Sequence, residues 1–312
     1  MTPYDTNALG PVVHPGRTKV GWIGLGVMCH SMAGHVLDAG YELHVHTRTP
    51  ARATDLLERG ATWSDDPVAL AETCDVVCIM VGYPHEVEAI VGAIIQGCGS
   101  RVDLIDHTTS DPSLDARLAD QAAATGVGRG LSLIDAPVSG GDVGARNGTL
   151  SIMCGGDPDG LAHVWPLLET YGGTIVHQGP VGAGQHTKVV NQTLIAGTMI
   201  GICEALVYAV RAGLDPQTVL RSVGGGAASS WSLANLAPRL LEGDMDAGFY
   251  VEHFIKDLEI ALHECERMGL DLPGVQHAHE LYTALADSGH FRDGTQSLVL
   301  EVARRNSVDW PG

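Results

Sequence analysis

Val20-Gly21-Trp22-Ile23-Gly24-Leu25-Gly26-Val27-Met28-Cys29 reads as a buried strand that turns, on two glycines, into a helix. Gly24 permits the tight turn, and Gly26 lets backbone approach a pyrophosphate lying on the helix N-terminus. Leu25, Val27 and Met28 complete the turn and the first helical positions. The usual third glycine is Cys29 here, which costs some helix–strand fit but leaves the N–H groups available. A helix end lowers a thiol's pKa and would make Cys29 reactive, while burial against the first strand would oppose that.

Working outward, Glu42–Thr47 is a second strand, and a ribose-reading residue is expected at its end, about twenty positions after the glycines. His46-Thr47-Arg48-Thr49 stands there, with no Asp or Glu. An acid would repel a 2′-phosphate. Arg48, flanked by Thr47 and Thr49, suits one, so NADP is expected in preference to NAD.

The same alternation continues to about Val176. A helix over Met28–Ala39 and another over Pro50–Arg59 flank the second strand. Asp75–Val81, Val102–Asp106 and Ser132–Ala136 are further buried strands, with helices over Pro84–Ile95 and Ser113–Ala124. Leu150–Cys154 and Thr174–Val176 are weaker strands. From Gly182 onward the pattern is helical: His186–Ala212, Gln217–Val223, Ala234–Glu242, Glu252–Met268, Gly274–Asp287 and Thr295–Arg305. The expected fold is an α/β Rossmann-like, doubly wound parallel sheet followed by an all-α C-terminal domain. Its parts are a loose Pro- and Gly-containing extension over 1–17, a dinucleotide-binding domain over 18–181, and a helical substrate and oligomerisation domain over 182–312, joined by one long helix.

Composition narrows the partners. The 312 residues carry a formal charge of −19, which repels nucleic-acid phosphates and anionic membranes. The seven cysteines are scattered without a CxxC pair, so neither a disulfide framework nor a structural zinc site is called for. The apolar stretches are broken by Lys, Glu, Gly or Asn, and no membrane span is read. A soluble, cytoplasmic protein is expected. His277 and His279 fall on different faces of a helix and make no metal site. Gly224–Gly226 with Ser229, Ser230 and Trp231 reads either as a loop over a substrate or as a plain helix–helix connection.

Four separated segments carry a resemblance: GLGVM at Gly24–Met28, DAPVSGG at Asp135–Gly141, GAGQHTKVVNQ at Gly182–Gln192 and FIKDLEIAL at Phe254–Leu262. In this order, over about Lys19 to Val302, the chain resembles the β-hydroxyacid dehydrogenase family. That family includes 3-hydroxyisobutyrate dehydrogenase, tartronate semialdehyde reductase and the glyoxylate/succinic semialdehyde reductases, and is related to 6-phosphogluconate dehydrogenase. The resemblance implies that Ser139, Gly140 and Gly141 bind a substrate carboxylate. A small hydroxyl beside two glycines does expose several N–H donors to an anion. It also implies that Lys188 is the catalytic lysine with Asn191 and Gln192 as polar partners. Helical spacing puts 188, 191 and 192 on one face. Lys256 matches a second lysine near the carboxylate and the nicotinamide; Met80, Val81 and Thr109 match cofactor contacts. The Asn191-Gln192 pair is more similar to the tartronate semialdehyde reductases than to members with Asn-Asn.

The activity so implied is NADP-dependent interconversion of a small 3-hydroxy acid and its semialdehyde or oxo acid, with Lys188 as acid–base and no metal. The implied partner is a small carboxylate-bearing substrate. A homodimer or homotetramer is expected, because the long helix exposes apolar residues that one chain does not cover. The competing readings are an imine reductase-like enzyme, which typically lacks the lysine, and a non-catalytic NADP-binding scaffold. The set Lys188, Asn191 and Lys256 argues against both.

Overall fold

A computed structural model describes residues 12–125 and 132–310; residues 1–11 of the expected extension lie outside them. The chain divides into two compact units, Met1–Lys188 and Val189–Gly312.

Among the described residues unit 1 contains nine strands: β1 (Lys19–Ile23), β2 (Glu42–His46), β3 (Thr62–Trp63), β4 (Val76–Ile79), β5 (Asp103–Asp106), β6 (Ser132–Asp135), β7 (Val138–Ser139), β8 (Leu150–Gly155) and β9 (Gly172–Gly179). They form one sheet in the order β3-β2-β1-β4-β5-β6-β8-β7, with β9 on β8. Pairing is parallel from β3 through β6, and again between β8 and β9. The parallel expectation fails locally at β6–β7–β8. The partners Asp135↔Gly155 and Val138↔Ile152 belong to one antiparallel register. β6 and β7 are therefore one extended run, interrupted at Ala136 and Pro137, whose proline nitrogen has no hydrogen to donate.

The helices of this unit are α1 (Val27–Asp38), α2 (Thr54–Glu58), α3 (Pro67–Thr73), α4 (Pro84–Gly97), α5 (Pro112–Thr125), α6 (Gly141–Asn147) and α7 (Pro158–Leu168). They cover both faces of the sheet, and β4 shows it. Its Val76 and Cys78 pack into one apolar cluster with Met32 and Val36 of α1 and Val164 and Leu167 of α7. Its Val77 and Ile79 pack into another, with Leu70 of α3, Val91 and Ile94 of α4 and Leu118 of α5. Side chains alternate across a strand, so a strand buried on both sides reads as an unbroken apolar run. Proline opens α3, α4 and α7, where its missing N–H is one that no helix uses. The single helix expected over Pro50–Arg59 is a 3-10 turn, Pro50–Ala53, followed by α2.

Behind the sheet's carboxyl edge, Trp22, His107 and Tyr171 form a buried brace. The Trp22 and His107 rings stack at 5.8 Å, and Tyr171 meets His107 edge-on. His107 Nδ1 donates to the Ala136 carbonyl (2.7 Å), so Nε2 accepts from the Tyr171 hydroxyl (2.9 Å). Burial holds the imidazole neutral and lowers its pKa to about 4. An unfolded histidine ionises near pH 6.5, so between these values the unfolded chain binds a proton that the native one does not. The brace is therefore fully stabilising above pH 6.5, and stability falls as pH drops toward 4. The loss reaches about 3 kcal/mol. Urea melts across that window should show it, and His107→Asn should remove this part of the slope; an unchanged slope refutes the assignment.

Unit 2 begins within α8 (Ala183–Arg211) and continues through α9 (Pro216–Val223), α10 (Trp231–Asn235), α11 (Ala237–Leu241), α12 (Val251–Met268), α13 (Pro273–Leu285) and α14 (Leu298–Arg305). The helix expected over Ala234–Glu242 is two, because Pro238 starts α11. Among the described residues this unit has no strand, only an isolated bridge between Tyr250 and Gly294. Gly224–Gly226 lies in the turns between α9 and α10, and Ser230 caps α10 by accepting from Leu233 N.

Met199, Cys203 and Leu206 of α8, Phe254 and Leu258 of α12, and Tyr282 of α13 build the core of unit 2. By length and composition alone α8 would pass as a membrane span. Its lysine, asparagine and glutamate do not interrupt the apolar window as the sequence reading supposed, and one side of the helix packs in the core of unit 2. Val190, Leu194 and Tyr208 of α8 stay exposed.

Candidate functional site

In unit 1 the candidate residues gather at the carboxyl ends of neighbouring strands. β1 ends at Ile23, and Gly24 turns with φ +93°, a conformation that favours glycine. A Cβ on Gly24 would run into the Met80 carbonyl, so the turn also needs glycine for space. Gly26 is the extended N-cap of α1. No side chain caps that helix and its first turn carries no acid, so its leading amides suit a phosphate anion. Leu25 is buried, Val27 exposed and Met28 partly buried.

Cys29 is buried in the core beneath this turn, its Sγ 3.6 Å from the Met80 carbonyl. Burial outweighs the helix end and pushes its pKa up to about 11. The thiol stays protonated at neutral pH, and the reactive thiolate that its position invited does not arise.

Arg48 follows β2 with its side chain 84% exposed, and its Nη1 pairs with Glu86 Oε1 at 2.5 Å. The other oxygen of Glu86 accepts from the amides of Gly82 (2.8 Å) and Tyr83 (3.1 Å). Sequence reading missed Glu86. The only local signal was an acid at N3 of a helix opened by proline. Thr47 is buried and Thr49 exposed beside Arg48. Met80 and Val81 follow β4, and Val81 N donates to the Thr108 hydroxyl (3.1 Å), which sets β4 against the loop carrying Thr109.

The second group lies along the β6–β7 run. Ser139 ends β7, and Gly140 and Gly141 follow with φ of +131° and +63°. Two successive glycines at positive φ turn the chain sharply into α6 after a serine hydroxyl, an arrangement fitted to a small anion. Lys188 joins this group: only 7% exposed, it donates from Nζ to the Val138 carbonyl (2.9 Å), one residue before Ser139.

Unit 2 holds the remaining candidates on one hydrogen-bonded chain. Asn191 Nδ2 donates to Gln192 Oε1 (2.7 Å), and Gln192 Nε2 donates to Asp257 Oδ2 (2.5 Å). Asp257 Oδ1 pairs with Lys256 Nζ at 2.8 Å. Gln192, Lys256 and Asp257 are all buried. Asp257 was not among the expected site residues. It stands next to Lys256 in sequence, but a pairing 65 positions from Gln192 has no local signal.

A glycine turn at a helix N-terminus, a Ser-Gly-Gly loop and a buried amine are groups that chemistry on a small acid with a dinucleotide can use.

Residues 19–179 match the model of the NAD-binding domain of 6-phosphogluconate dehydrogenase. Residues 182–302 match the model of the NAD-binding region of NADP-dependent 3-hydroxyisobutyrate dehydrogenase. The chain is 44% identical to the 3-hydroxyisobutyrate dehydrogenase-like 1 protein of Arabidopsis thaliana, over 95% of this chain and 89% of that protein. It is 37% identical to the 2-hydroxy-3-oxopropionate reductase of Escherichia coli, over 90% and 96%. The solved structure of Mycobacterium tuberculosis 3-hydroxyisobutyrate dehydrogenase with L-serine superposes with a TM-score of 0.83 at 27% identity, over 91% and 99%. The two family models together span residues 19–302, and the chain belongs to the β-hydroxyacid dehydrogenase family of NAD(P)-dependent oxidoreductases.

Proposed function

We propose that this protein is an NADP-dependent dehydrogenase that interconverts a small 3-hydroxy acid and its semialdehyde or oxo acid. The observation that carries the reading is Lys188, a buried amine bonded to Val138 directly beside Ser139. An amine held there lies within reach of a hydroxyl whose carboxylate sits on Ser139, Gly140 and Gly141.

The residues present fit the cofactor: glycine is required at Gly24, the α1 amides have no side-chain cap, and Arg48 offers a guanidinium for a 2′-phosphate. Gly24–Met28 would hold the pyrophosphate, Thr47–Thr49 the ribose phosphate, and Met80, Val81 and Thr109 the face nearer the nicotinamide. When bound, the nicotinamide supplies the hydride acceptor or donor for the substrate's carbinol carbon. Lys188 takes the hydroxyl proton at Nζ during oxidation and returns it during reduction. Lys256, Asn191 and Gln192 are the further polar residues that the family resemblance implies for this reaction. Asp257 holds Lys256 and Gln192 in place. The exposed apolar residues of α8 support a homodimer or homotetramer.

Steady-state assays of small 3-hydroxy acids and semialdehydes with NADP(H) and NAD(H) test the reading. Turnover of at least one pair with NADP(H) is expected. Tight NADP+ binding with no turnover would identify a scaffold, and turnover of cyclic imines alone an imine reductase.

A further inference from the structure

The first turn of α8 is clasped from three sides within unit 1. Gly182 turns with φ +93°, where a Cβ would come 2.8 Å from the Pro112 carbonyl. A Cβ on Gly184 would run into the Met153 carbonyl. The Asp135 carboxylate accepts from Gly182 N (2.7 Å) and Gln185 N (2.8 Å), capping the helix from the β6 end. The Gln185 side chain, 1% exposed, uses both ends of its amide. Oε1 accepts from Ser110 N (3.0 Å), and Nε2 donates to the Thr108 carbonyl (2.7 Å) and to Asp115 Oδ2 (3.0 Å).

We propose that Asp115 and Gln185 are positioning residues for Lys188: the buried bonds of Gln185 to Asp115 and the Thr108–Ser110 backbone fix the roll of α8, and turnover depends on that roll. The proposal rests on the acid–base role given to Lys188 above. Lys188 lies three residues beyond Gln185, so the two project from neighbouring points of one helical face. A helix held at 185 cannot rotate at 188. The same Asp135 that caps α8 ends β6, three residues before Val138 in the run that carries Ser139, so amine and Ser-Gly-Gly loop are referenced to one anchor. The surroundings of Asp115 favour its protonated form. Burial first, then the carboxylates of Asp106, Asp135 and Asp111, raise its pKa well above the ordinary range.

Gln185→Met keeps the volume and removes all three bonds. Misplacement on the scale of 1 Å can cost about a hundredfold, so kcat is expected to fall about ten- to a hundredfold, with NADP+ dissociation within about twofold of wild type. Asp115→Asn, which retains the acceptor, should keep kcat within about threefold, while Asp115→Leu should share the Gln185→Met loss. In a Lys188→Ala background, Gln185→Met should lower kcat no further, because residues acting through one another are not additive. Wild-type turnover in folded Gln185→Met, or its full loss repeated in the Lys188→Ala background, overturns the proposal. If Gln185→Met does not fold, equal turnover in Asp115→Asn and Asp115→Leu overturns it. Failure of the Lys188 role itself shows separately, as activity retained by Lys188→Ala alone.

Discussion

Lys188→Ala is expected to lower kcat by about 10²–10⁴-fold, the range that a general acid–base group contributes. The substitution removes the one buried amine that donates to Val138 at the head of the Ser-Gly-Gly loop. Affinity for NADP+ should hold, because the glycine turn between β1 and α1 belongs to other strand ends of the sheet. Lys188→Arg should rescue little, since a guanidinium stays protonated and cannot accept the substrate proton. Near-normal turnover by Lys188→Ala on acids that the wild type accepts would move the proton transfer to Lys256 or to water.

Arg48→Ala should weaken NADP+ far more than NAD+. A charge-assisted hydrogen bond is worth about 1.5–3 kcal/mol, or about ten- to a hundredfold in affinity. The Glu86 pairing reduces this, because Arg48 must give up or share an existing partner to reach a 2′-phosphate. Arg48 is 84% exposed but Glu86 only 13%, so giving up the pair costs more than the ~0–1 kcal/mol of a fully exposed one. The expected loss therefore lies nearer the tenfold end. Parallel titrations of wild type and Arg48→Ala with both cofactors measure it, and equal catalytic efficiency of the wild type with NADP and NAD would defeat the preference altogether.

The elements legible in the sequence were those whose burial is periodic. β4 is buried on both faces and reads as an unbroken apolar run, β1 nearly so, and β5 as a buried apolar pair between two acids; α1, α4 and α12 carry apolar stripes ended by glycine or a strand signal. α3 and α7 went unread although Asp66 and Asp157 cap them and proline opens both. In α7 the apolar stripe was present, but Pro166 inside its last turns masked the period. α6 contains Gly141 and Gly144, poor helix formers, and exists because packing overrides propensity. The antiparallel register of β6–β7 against β8 was invisible because β7 pairs through only two residues.

By itself the sequence determined the alternating α/β half, the helical half, the glycine turn and the lysine on an apolar helix. Each of these is written in neighbouring residues: a period of two or 3.6, or a glycine where only glycine fits. Tertiary structure alone decided what those residues meet. The Val138 carbonyl lies 50 positions from Lys188, Asp257 lies 65 from Gln192, and Asp115 lies 70 from Gln185. It also decided that Cys29 is inert, since helix end and burial pull its thiol in opposite directions and only the packed core shows that burial prevails. Hydrogen bonds between residues so far apart leave no local pattern, because they form only once the strands and helices have brought both partners to one place.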